Sequence, residues 1–150
     1  MLKTPAPRQH PVNYSVPVHY SETDVAEFHH WPITPGVYLL CERGEFYIGQ
    51  TVDVAGRFAS HRLNPVCCKF TDPRCVLLAS VPAWRVDSNQ NERRRLVAEA
   101  RFMAAALGMG LPLTNTNLTP FKREKLLSQF SDVSCERARL SRALQLLEAH

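Results

Sequence analysis

Two runs of strand-forming residues, 37–42 and 45–50, are separated only by Arg43-Gly44, and a link that short closes a β-hairpin. With a two-residue loop, Tyr38 faces Gly49 and Tyr47 faces Leu40, so both phenols lie on one face of the ribbon at a diagonal. A three-residue loop would send them to opposite faces. The hairpin therefore fixes where two polar aromatic side chains can meet.

Beyond it, Thr51 or Asp53 can cap a helix that ends at Asn64-Pro65 and stacks Arg57 and His61, four apart, on one face. Two phenols, a guanidinium and an imidazole on one small surface suit chemistry on phosphate. Residues 75–81, bounded by Pro73 and Pro82, read as a buried third strand. A longer helix opens near Asn89 or Gln90, with Asn89 and Glu92 in a capping-box pattern, and carries the apolar stripe Leu96, Ala100, Met103, Ala104 and Leu107. Residues 108–112 stop it. Glu99 sits on the flank of that stripe, about 60° from Leu96. A carboxylate at a core boundary needs a reason. Two further helical stretches, 121–130 and 133–148, follow, the second with Ala138, Leu140, Ala143, Leu144 and Leu147 at helical spacing.

The first 35 residues hold six of the 11 prolines and four of the 6 histidines, with one short helix signal in Ser21 and Asp24. They read as an arm, a packing strap in preference to a contact with nucleic acid or a second subunit. A chain of 150 residues with 45% hydrophobic content suits one core rather than two. Its 18 basic and 14 acidic residues give a net charge of +4, mildly favourable to a polyanionic partner and undecisive alone.

The 5 cysteines include no CxxC pair and nothing in the polar, Pro-rich start resembles a secretory leader, so free thiols in a reducing cytoplasm are expected. Cys67, Cys68, Cys75 and His61 match no usual zinc spacing, and adjacent cysteines are awkward for a tetrahedral site. No run of some 18 apolar residues is present, so no membrane span is expected.

Gly36-Val37-Tyr38, then Tyr47-Ile48-Gly49-Gln50-Thr51, Arg57 ten residues after Tyr47, His61 four beyond, Glu99 on a later helix and Asn115 within Leu113-Thr114-Asn115 form an ordered set. In that order and at those separations the chain resembles a GIY-YIG nuclease domain, with Val37 replacing the family's isoleucine. The likeness covers about residues 34–117. It implies an α+β fold: a small three-stranded antiparallel sheet flanked by helices over 34–118, preceded by the Pro-rich arm (1–33) and followed by a C-terminal helical extension (119–150) packed on the same domain.

The resemblance further implies a single divalent cation, Mg²⁺ or Mn²⁺, and one site that hydrolyses phosphodiester bonds in DNA. Glu99 would be the metal ligand, because Mg²⁺ takes one or two carboxylates and fills its other positions with water and phosphate oxygen. Arg57 would bind the scissile phosphate through paired donors. Tyr38 would take the proton from the attacking water, a role that needs nearby positive charge because an ordinary phenol ionises near pH 10. Arg57, the metal or a hydrogen bond from His61 would supply that bias. Tyr47 would hydrogen-bond the phosphate or the water, and Asn115, in preference to Asn117, would fix local geometry.

Arg93, Arg94, Lys122 and Arg123 are the leading candidates to track the DNA backbone, with Arg85, Arg95, Arg101 and Lys125 behind them. Trp84 or Trp31 would stack on an exposed base. No helix-turn-helix or zinc finger accompanies these residues, so specificity would come from the arm, the C-terminal helices, a homodimer or a partner protein. The alternative is a catalytically inactive nucleic-acid-binding module of the same fold.

Overall fold

Arg43 and Gly44 both take positive φ, 55° and 80°, the backbone of the tight turn that suits right-twisted hairpins. In the computed structural model, residues 18–22, 25–27, 35–53, 70–83, 88–115 and 118–148 are described. They form β1 (Ala26–Glu27), β2 (Gly36–Glu42), β3 (Glu45–Thr51), β4 (Arg74–Ser80), α1 (Ser88–Gly108), α2 (Pro120–Gln129) and α3 (Ser134–Glu148). The two-residue turn sets the expected register, with Tyr38 opposite Gly49 and Leu40 opposite Tyr47.

Among the described residues the sheet has four antiparallel strands, in the order β1-β4-β2-β3, where the sequence predicts three. The addition is β1, only two residues long, which pairs Ala26 with Leu77 and Glu27 with Val76. Two residues cannot display an alternating pattern, so nothing in the arm marks them as strand. The helix expected from Ser21 is also absent: Ser21 and Glu22 are non-helical and the chain is strand by Ala26, while Asp24 lies outside the described residues. Part of the arm is thus built into the sheet. Arg74 fastens it from β4, donating Nε and Nη2 to Glu27 at 3.0 and 2.6 Å and Nη1 to the Leu147 carbonyl of α3 at 2.8 Å.

Each sheet face buries its own apolar set. Val37, Leu39, Phe46, Ile48, Val76 and Leu78 face α1 and α3 in the main core, whereas Tyr38, Leu40, Cys75 and Leu77 meet Phe70 on the opposite face. Between Val37 and Tyr38 the pairing with β4 slips, from Ala79 opposite Val37 to Leu77 opposite Tyr38, so Leu78 is an inserted bulge residue. Its carbonyl accepts from Arg139 Nη1 at 2.9 Å.

The apolar stripe expected on α1 is only partly the buried one. Val97, Ala98, Ala100 and all of 102–106 are buried, while Leu96 and Leu107 are half-buried. The sheet packs on one side of α1 and both later helices pack on others, so burial exceeds any single stripe. The helix begins at Ser88, which puts Asn89 and Glu92 inside it rather than at its cap. It ends where the Gly110 N–H meets the Leu107 carbonyl at 3.1 Å and the Leu111 N–H meets that of Ala106 at 3.0 Å, a Schellman closure. In α3, Leu140 and Ala143 enter the core and Ala138 stays exposed. Among the described residues no helix is long and apolar enough to cross a membrane.

Candidate active site

Alternation along the hairpin delivers Tyr38 and Tyr47 to the same sheet face, their ring centroids 6.4 Å apart and their planes inclined by 32°. Tyr38 is 2% exposed, enclosed by Leu40, Phe70, Cys75 and Leu77, and Tyr47 packs half-buried at the margin of that cluster. The Tyr38 ring lies across Gly49, its cross-strand partner. A Cβ there would fall inside van der Waals contact of Tyr38 Oη and Cζ. Glycine in this strand is therefore the floor on which the phenol rests.

That contact carries a prediction. Gly49→Ala forces either the enclosed ring or the strand to shift, an overpacking expected to lower stability by about 1–3 kcal/mol. Chemical denaturation reads it, and an unchanged midpoint would mean that the ring yields freely.

Asn115 is buried and fixes the same strand from its open edge. Residues 112–114 run parallel to β3, with the Phe46 N–H donating to the Pro112 carbonyl at 3.0 Å and the Thr114 N–H donating to that of Phe46 at 2.8 Å. One step further the side chain takes over from the backbone. Asn115 Oδ1 accepts from the Ile48 N–H at 3.1 Å and Nδ2 donates to the Ile48 carbonyl at 2.7 Å. A carboxamide has the donor and acceptor geometry of a peptide unit, so it continues the ladder between Tyr47 and Gly49.

Glu99 is half-buried on α1, on the same helix face as Arg95 one turn earlier. Arg95 donates Nε to Gln50 Oε1 at 3.0 Å, tying that helix face to the end of β3 on the Phe46 and Ile48 side of the sheet, not the side that carries the two phenols. Burial pulls the Arg95 guanidinium below its ordinary pKa, with Glu92 acting in the opposite sense. This Arg95–Gln50 tie was not legible in the sequence, because nothing local couples positions 45 residues apart. The bulge beside Tyr38 was likewise unmarked.

Arg57 and His61, proposed with Tyr38, Tyr47, Glu99 and Asn115, lie outside the described residues, as do Trp31, Cys67, Cys68, Trp84, Arg85 and Asn117. Of the cations suggested for DNA, Arg93 and Lys125 are exposed and Lys122 is half-buried. Arg94 is buried, with Nη1 on Asn91 Oδ1 at 3.2 Å. Arg123 donates to the carbonyls of Leu118 and Leu113 at 3.3 and 3.2 Å, and Arg101 is bound to Glu136. These last three guanidiniums hold protein rather than presenting a free fork. Cys75 is deep in the Tyr38 cluster, where burial pushes its thiol pKa up. Among the described residues no group of three or more His, Cys, Asp or Glu side chains gathers.

Comparison with protein-family models, with curated proteins and with solved structures finds no match to this chain. The site therefore rests on its own residues.

Proposed function

We propose that this chain is a metal-dependent DNA endonuclease of the GIY-YIG kind. The observation that carries the reading is the paired phenols: Tyr38 and Tyr47 share one sheet face at 6.4 Å, with Gly49 beneath Tyr38 and Asn115 holding Ile48 between the two motif residues. Packing alone explains one tyrosine, but it supplies no reason for two phenols, a glycine floor and a carboxamide clamp within one short strand pair.

Phosphodiester hydrolysis needs an in-line water, relief of charge on the phosphate and support for the leaving oxygen. Tyr38 would accept the proton of the attacking water and Tyr47 would hydrogen-bond the water or a phosphate oxygen. Arg57 would grip the phosphate in its paired donors, with His61 bonding to the Tyr38 oxygen. Asn115 acts through Ile48 as a positioning residue. Glu99, a single half-buried carboxylate, suits Mg²⁺ or Mn²⁺, which keeps several waters and accepts phosphate oxygen. A cation bound there supplies Lewis-acid polarisation of the ester.

The test is nicking of supercoiled plasmid by the purified chain with Mg²⁺ or Mn²⁺. Glu99→Ala is expected to lose cleavage while keeping its fold, and chelation is expected to stop the native chain. Equal nicking by Glu99→Ala removes the carboxylate from the reaction. The near-complete burial of Tyr38 favours one second reading, a nucleic-acid-binding module of this fold without turnover. That reading prevails if the protein binds DNA with a steep salt dependence and divalent metal changes neither affinity nor product.

A further inference from the structure

Phe121 is 76% exposed, the most exposed of the large apolar side chains among the described residues. An isolated surface phenylalanine is ordinary; Phe121 is set apart by its mounting and its neighbours. The mounting is stiff. Thr119 caps α2 by accepting from the Lys122 N–H at 3.2 Å, Pro120 fixes the first helical residue, and Arg123 binds the carbonyls of Leu118 and Leu113. Leu118 and Leu126 anchor the same helix in the core. With the backbone beneath it fixed, the ring has only its own side-chain freedom to lose when a flat partner settles on it.

Its neighbours are cationic. Lys125 lies one turn further along the same exposed face, Lys122 adjoins Phe121 in sequence, and Glu124 is the only acid of the helix. The position relative to the candidate site is also constrained. Phe121 follows Asn115 by six residues, and the Leu118 N–H donates to the Asn115 carbonyl at 3.1 Å, which shortens the path. Six residues span at most about 20 Å, which is about six stacked nucleotides of one strand.

We infer that Phe121, with Lys122 and Lys125, is a stacking platform for an unpaired DNA base on a strand that also reaches the candidate site. The inference rests on the nuclease reading and adds a substrate class to it: DNA that offers a single-stranded or unstacked stretch on the strand that is cut. The aromatic face takes any base, and the ammonium groups take the phosphates on either side.

Fluorescence anisotropy of the full chain, without divalent metal, on labelled oligothymidylate and on a duplex of equal length tests it. Phe121→Ala is expected to weaken single-strand binding by about 5- to 150-fold, the contribution of one stacked base. Phe121→Trp should restore it, and duplex affinity should stay within about twofold. Lys125→Ala should lower the salt slope by about one unit. Equal single-strand affinity for Phe121→Ala and the native chain overturns the inference. So does an absence of DNA binding by the native chain, or self-association that Phe121→Ala abolishes, since a second copy would then be the occupant. Phe121-dependent binding without plasmid nicking supports the platform and removes only the nuclease.

Discussion

Arg101→Ala is expected to unfold the chain at a markedly lower denaturant concentration, a loss of about 3–5 kcal/mol, because it strands a buried carboxylate. The Glu136 side chain is 2% exposed, and Arg101 meets it from α1 with Nε at 2.8 Å and Nη2 at 3.3 Å. Tyr20 completes the shell, donating its hydroxyl to Glu136 Oε2 at 2.5 Å. Burial, then the charge and the hydrogen bond of Glu136, hold the Tyr20 phenol far above its ordinary pKa, so it remains a donor. Arg101 keeps 28% of its side chain in solvent, and the loss therefore comes from Glu136, which has no water to turn to. Arg101→Met with Glu136→Leu and Tyr20→Phe should recover most of the stability, since an apolar trio needs no partner, whereas Glu136→Leu with Tyr20 in place strands the phenol hydroxyl. A loss under about 1 kcal/mol for Arg101→Ala would show that the carboxylate takes up a proton or water instead. The measurement is a denaturant midpoint with its slope.

This cluster explains why the arm is more than an appendage. Tyr20 sits against Phe102 at 5.5 Å, Arg139 stacks over Tyr20 at 5.4 Å and donates to the Ser21 carbonyl at 3.1 Å. Residues from the arm, α1 and α3 thus share one buried charge. The sequence offers Glu136 as one more acid in an amphipathic helix and Arg101 as one more candidate for DNA, because an ion pair across elements leaves no periodic trace in either.

The contrast with the hairpin is instructive. Its register was legible because a two-residue turn leaves no freedom and because alternation then assigns every side chain to a face. The phenol pair, the core strand β4 and the three helices follow from such local rules. Leu96 fails where the rule loses its premise: a helix flanked by the sheet and by two other helices has no single dry stripe, and Val97 and Ala98 take the places that a stripe assigns to Leu96. A charge at Leu96 is consequently expected to disturb the fold less than one at Ala98. Asn115 lies between these cases. Its position after α1 is readable, while its two bonds to Ile48 depend on a parallel segment that only the assembled edge creates.

Tyr38→Phe separates chemistry from packing more sharply than any other single change. The ring stays, so its contacts with Leu40, Phe70, Cys75 and Leu77 and its rest over Gly49 persist, and stability is expected to fall by no more than about 1 kcal/mol for one hydroxyl. Cleavage on the proposed mechanism should fall by roughly 10²- to 10⁴-fold, the usual contribution of a positioned general base. Single-turnover rates on plasmid give the comparison, and denaturation of the same preparation shows whether the loss is one of folding. If the rate persists, Tyr38 is a packing residue and the base role passes to Tyr47, whose ring is 6.4 Å away and less enclosed. Tyr47→Phe would then carry the large loss. If neither substitution slows cleavage, the proton leaves the water by a route that avoids both phenols, and the paired face of the hairpin is a second core with no part in the reaction.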